Sequence, residues 1–146
     1  MPSTSPIVSL AGLLAISLAA GCSGPVQTSQ RGPAPRAYPF EPGQSQVHDI
    51  QVFRDGTRLR LTNTTAGSFG PGTLWVNRRF SHPVNGLGVG ESLDLDLYDF
   101  VDEFGDAFRA GGFFAKQDPD PVVIVQYEAA ADDVMHGFVL VRDDMN

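Results

Sequence analysis

Thr57-Arg58-Leu59-Arg60-Leu61-Thr62-Asn63 alternates with a period of two. Leu59 and Leu61 fall on one face, and Arg58, Arg60 and Thr62 on the other, the pattern of a strand with one side in a core and one in water. Leu93-Asp94-Leu95-Asp96-Leu97 repeats the alternation with the opposite charge. Set side by side, the two stretches would share a leucine face and bring Arg58 and Arg60 near Asp94 and Asp96. Such exposed cross-strand pairs select register more than they stabilise. The chain is therefore read as a β protein built outward from these two strands.

Before them, residues 47–54 form a first strand, and Asp55-Gly56 is a tight-turn signal leading into 57–63. Residues 64–72 (TTAGSFGPG) form a loop and 73–80 (TLWVNRRF) a third strand. Residues 81–90 are turn-rich, with a short strand around 84–87. In 98–108 (YDFVDEFGDAF), the spacing of Leu97, Val101 and Phe104 predicts one or two helical turns ended by Gly105. Residues 109–116 (RAGGFFAK) read as a strand bulged at Gly111-Gly112. Residues 122–128 (VVIVQYE) are apolar on both faces, as in a central strand, and 135–142 (MHGFVLVR) form the last strand.

About seven short strands between residues 47 and 143 predict an immunoglobulin-like or fibronectin-III-like antiparallel sandwich, in which the second strand pairs with the fifth. That domain contains no cysteine, so it has no disulfide between its sheets.

The N-terminal region has another character. Residues 7–20 (IVSLAGLLAISLAA) are apolar but fall short of the roughly 20 residues a bilayer crossing needs. A short apolar core followed by small residues is the pattern of a cleaved export signal. The run Leu18-Ala19-Ala20-Gly21-Cys22 resembles the lipobox of bacterial lipoprotein signal peptides, with Cys22 the only cysteine. The resemblance covers about the first 22 residues. Two features depart from the usual pattern: Ala19 stands three places before the cysteine, and no Lys or Arg precedes the apolar run.

The resemblance implies removal of residues 1–21 and a thioether-linked diacylglycerol on Cys22, usually with a further acyl chain on its amine. Two or three chains exceed the single-chain limit of marginal membrane binding. With Ser23 rather than Asp after the cysteine, the family's pattern implies the outer membrane in a host with two membranes. The alternative is an ordinary secretory signal cut near Ala20, leaving a free thiol. Residues 22–46 hold five of the eleven prolines and read as a tether, with Tyr38 and Phe40 either docking on the domain or punctuating it. Residues 95–99 (LDLYD) loosely resemble the F-x-L-Y-D signature of small bacterial envelope domains that are themselves β-sandwiches.

With 10 Lys+Arg against 17 Asp+Glu, the net charge of −7 argues against nucleic acid and against electrostatic binding to anionic lipid. His48, His82 and His136 lie in different elements without metal-ligand spacing, and no cofactor or metal is expected. Asp94, Asp96, Asp99, Asp102, Glu103 and Asp106 are dense enough for oxygen ligands but fail the EF-hand pattern. No serine sits in a nucleophile elbow, and Glu91 stands where the glycines at 86, 88 and 90 would need a partner for a dinucleotide fingerprint. No catalytic residue is assigned. Trp75, Tyr98 and Phe113 are the candidate binding residues, as exposed aromatics for stacking or for a partner protein. The expectation is a non-catalytic, lipid-anchored envelope protein that scaffolds or binds a partner protein. The alternative is a carbohydrate- or calcium-binding module at the cell surface.

Overall fold

A computed structural model describes Met1 and residues 34–41, 43–131 and 134–141. Residues 2–21 of the expected signal, Cys22, residues 23–33 and 42 of the tether, and residues 142 and 143 at the end of the expected domain lie outside the described residues. Within them the strands are β1 (Gln44–Asp55), β2 (Arg58–Thr62), β3 (Gly72–Val76), β4 (Phe80–Val84), β5 (Ser92–Asp96), β6 (Val125–Ala129) and β7 (Met135–Val141). A single 3-10 turn, Leu97–Asp99, follows β5, and the described residues include no α-helix.

The two alternating stretches are neighbours, as their patterns demand. Arg58 pairs with Asp96, Leu59 with Leu95, Arg60 with Asp94 and Leu61 with Leu93. Leu59 and Leu61 are fully buried, while Leu93 and Leu95 pack against the core from a half-buried edge. On the outer side Arg58 Nε lies 2.8 Å from Asp94 Oδ1 and Arg60 Nη2 lies 3.2 Å from Asp94 Oδ2. Hydrogen bonds from Arg58 and Arg60 hold the Asp94 carboxyl below the usual carboxylate range.

The protein is all-β, and its seven strands form one mixed sheet, β4-β3-β6-β7-β1-β2-β5, curled into a half-barrel. The expectation of a wholly antiparallel arrangement is corrected at one seam, where β1 and β7 run parallel. Strand β1 reaches both halves because its register against β7 shifts between His48 and Gln51. Its first part pairs only with β7, and residues 51–55 pair with β2. An irregularity of this kind lets a strand bend, and with it the sheet curl. Ile50, Val52, Leu74, Val76, Val125 and Tyr127 line the inside of the curl.

Four expected elements differ, the first being residues 81–90, where the strand is not at 84–87 but at Phe80–Val84, as β4. Residues 73–80 are not one strand but β3, a turn and the start of β4. Asn77 (φ 56°) and Arg78 (φ 54°) adopt the left-handed conformation of a hairpin turn, without the glycine that usually marks one. The Asn77 side chain holds the turn by donating to Pro121 O at 2.7 Å and accepting from Val123 N at 2.8 Å.

Residues 98–108 are not helical beyond the 3-10 turn. Val101 bridges both Ser81 and Ala107, and Phe104, expected on the helix's apolar face, is exposed. The Asp102 carboxylate stabilises the alternative by accepting from the backbone N–H groups of Phe104 and Asp106 at 3.0 and 2.9 Å. Residues 109–116 form a loop rather than a bulged strand, with Gly111 and Gly112 at φ 86° and 116°.

Candidate functional site

Along β3, Leu74 and Val76 enter the core, so Trp75 must project from the opposite face. By the same alternation β6 turns Val125 and Tyr127 inward and Gln126 and Glu128 outward. The register sets Trp75 opposite Gln126 and Thr73 opposite Glu128. This outer face holds an aromatic ring, an amide and a carboxylate. Nevertheless Trp75 and Gln126 are 0% exposed and Glu128 only 8%.

The cover is the chain's own segment 34–41, which we call the strap. Arg36 places Nη2 2.9 Å from Glu128 Oε1 and its guanidinium carbon 5.2 Å from the centre of the Trp75 ring. The other Glu128 oxygen accepts from Trp75 Nε1 at 2.7 Å. Tyr38 meets Trp75 edge to face at 5.2 Å, and Phe40 meets Tyr38 likewise at 4.9 Å. The Tyr38 hydroxyl donates to Gln126 Oε1 at 2.9 Å, and Gln126 Nε2 donates to Gln44 Oε1 at 2.8 Å. Every buried polar atom of the described face thus has a partner. With the strap lifted, the Trp75 ring would lose its cover, the Gln126 oxygen its donor and Glu128 its counter-charge. Water could then hydrate the Gln126 and Glu128 oxygens, so the cost of opening lies in exposing the apolar Trp75 ring, which another ligand could cover.

A second concavity lies where the half-barrel stays open. A cleft of about 440 Å³ is lined by Phe69, Val84 and Leu87 and, from the β5 edge, Leu93 and Leu95. Its rims resist addition of a further strand. Ser81 already exchanges both backbone hydrogen bonds with Val101. Pro83, two residues along and so on the same edge, has no N–H to offer. On β5, the outward-turned positions include Asp94 and Asp96, charges that discourage edge pairing.

Among the residues singled out from the sequence, Trp75 is no exposed platform; it is the buried centre of the strap site. Tyr98 is 47% exposed, and its hydroxyl donates to Gly111 O. Phe113 is 95% exposed at a loop tip and stacks edge to face on Phe114 at 5.0 Å. Tyr98 stands beside that loop, whereas Trp75 belongs to a different face, so the three aromatics do not form one surface. Cys22 lies outside the described residues.

The candidate calcium ligands are dispersed. Asp94 is held by arginines, Asp96 accepts from Tyr98 N at 3.0 Å, and Asp102 is tied to Arg79 Nη2 at 2.7 Å. Among the described residues no three His, Cys, Asp or Glu side chains converge as a metal site would. His48 Nε2 and His136 Nδ1 stand 3.0 Å apart across the β1–β7 seam, while His82 lies on β4.

Comparison with known protein families, with curated proteins and with solved structures finds no match. The site must therefore be argued from its own chemistry. Sequence reasoning overlooked Arg36, Gln126 and Glu128. The available signal was two polar residues at alternate positions of 122–128, an otherwise apolar central strand that had no need of them unless its second face was also covered.

Proposed function

We propose that this chain is a lipid-anchored envelope protein whose domain is an immunoglobulin-like, non-catalytic binding module for a partner protein. The anchor rests on Leu18-Ala19-Ala20-Gly21-Cys22, the stretch similar to a lipobox, followed by a proline-rich tether. In this reading the lipid chains hold Cys22 in the membrane, favouring the outer membrane where there are two, and residues 23–33 link them to the strap.

The immunoglobulin-like reading is supported by strand order. Naming β1 to β7 as A, B, C, C′, E, F and G gives the two halves C′-C-F-G and A-B-E, with the bent β1 joining them along G. A binding role draws support from the strap site. It is a surface with an aromatic ring and directional polar groups, already recognising a peptide segment. Asp94, Asp96 and Asp102, three of the six acids considered for a calcium site, are engaged with arginines and backbone N–H groups, and no three of the described acids converge, so the calcium alternative draws less support.

The anchor is tested by Cys22→Ala. The variant should appear in the soluble extracytoplasmic fraction, or remain unprocessed. Fractionation with the membrane after normal cleavage of residues 1–21 would overturn the anchor.

A further inference from the structure

The strap behaves as a ligand lying in a binding groove. Residues 34–41 form no strand, and prolines at 35 and 39 bracket the two side chains that make its polar contacts. Extended proline-flanked segments characteristically dock on aromatic grooves, because their conformational entropy is already low. The groove selects by chemistry: Glu128 for a cation, Trp75 for a flat cation and an aromatic edge, and Gln126 for a hydroxyl two residues later. The strap itself stays largely exposed, and its junction to β1 passes through Gly43, which has open space around it.

We infer that the Trp75–Gln126–Glu128 face is a peptide-recognition site, closed at rest by the chain's own strap. Its ligand in trans is an extended protein segment of the form Pro-Arg-x-Tyr-Pro. This deepens the binding-module reading and does not depend on the anchor. A short covalent connection presents the strap at an effective concentration on the order of millimolar, so a free competitor must exceed that or act when the strap is drawn aside.

Trp75 is the only tryptophan, so its fluorescence reports the groove directly. In the full chain, Arg36→Glu with Tyr38→Ala should open the strap, red-shifting the emission and raising acrylamide quenching several-fold while the far-ultraviolet β signal persists. Adding the synthetic peptide Ala-Pro-Arg-Ala-Tyr-Pro-Phe-Glu should restore shielding. The same peptide with Glu for Arg and Ala for Tyr should not. The wild-type chain should bind the peptide at least about tenfold more weakly than the opened variant, because its strap competes.

If that double variant does not fold, Arg36→Ala with Tyr38→Phe keeps the Tyr38 ring and introduces no opposing charge, removing the Arg36 contacts with Glu128, Thr73 and the Trp75 ring and the Tyr38 hydroxyl's hydrogen bond, and should show the same ordering. Unchanged quenching in a folded variant, or an opened groove that millimolar peptide does not re-cover, would overturn the proposal. Neither result bears on Cys22. Conversely, loss of the anchor would leave the peptide titration unaffected.

Discussion

Asp102 shows how far a residue's role can depart from its composition class. In the sequence it is one of six acids in a thirteen-residue window and reads as an oxygen ligand or a solvated charge. In the fold it is fully buried, bridged by Arg79 and capped by two backbone N–H groups. Burial opposes its charge, but the Arg79 hydrogen bond and the N–H groups of Asp106 and Phe104 outweigh it and hold the carboxyl below the usual range. A depressed folded value stabilises the protein above the unfolded carboxylate value near about 4, and the contribution fades as pH falls through the folded value. Asp102→Asn should therefore lower stability at pH 7 by about 1.5–3 kcal/mol, the scale of hydrogen bonds to a charged group. The gap from wild type in denaturant titrations should narrow below about pH 4. A gap that stays constant from pH 7 to 2 would remove Asp102 from this role. Gly72 makes a second test: a Cβ there would lie 2.6 Å from the Tyr127 ring carbon and hydroxyl oxygen. Gly72→Ala should cost about 1–3 kcal/mol by overpacking, read from the shift in denaturation midpoint.

Among the elements, β2 and β5 were the most legible, because two-residue periodicity with leucines inside and opposite charges outside fixes both face and partner. What periodicity could not supply was depth. β5 is an edge strand, so Leu95 is only half-buried while its partner Leu59 is fully covered. Leu59→Ala should cost about 2–5 kcal/mol, Leu95→Ala less, and Asp96→Ala least. Equal losses at Leu59 and Leu95 in urea denaturation would show that the edge is more deeply buried than its geometry indicates. The β3–β4 hairpin was not legible, since Asn77-Arg78 takes a turn that normally advertises itself with glycine, and its stability comes from the remote backbone at 121–124. The absence of a helix after β5 was hidden for the same reason: the side chain of Asp102 decides it, and side-chain-to-backbone bonding leaves no periodic trace.

At the scale of the whole molecule, part of the segment whose composition reads as tether is ordered against the sheet. β1 starts at Gln44 rather than Val47, and residues 34–41 are laid against β3 and β6. Limited proteolysis should accordingly cut ahead of residue 34 first and leave a resistant fragment that retains Arg36 and Tyr38. Early cleavage between 36 and 46 would mean that the strap is not docked. The docking was half legible: Tyr38 and Phe40 stood out in a proline-rich segment as residues that either dock or punctuate, and the structure docks Tyr38 on Trp75 and Gln126, while nothing in that composition named Arg36 or the polar face of a central strand that receives it. The anchor is the claim on which the biological setting depends, and intact-mass analysis of the protein extracted from its own envelope tests it most directly. The account predicts a chain beginning at Cys22 and heavier than its residues by a diacylglyceryl group, with or without a further acyl chain. A chain carrying an unmodified Cys22 thiol would contradict it.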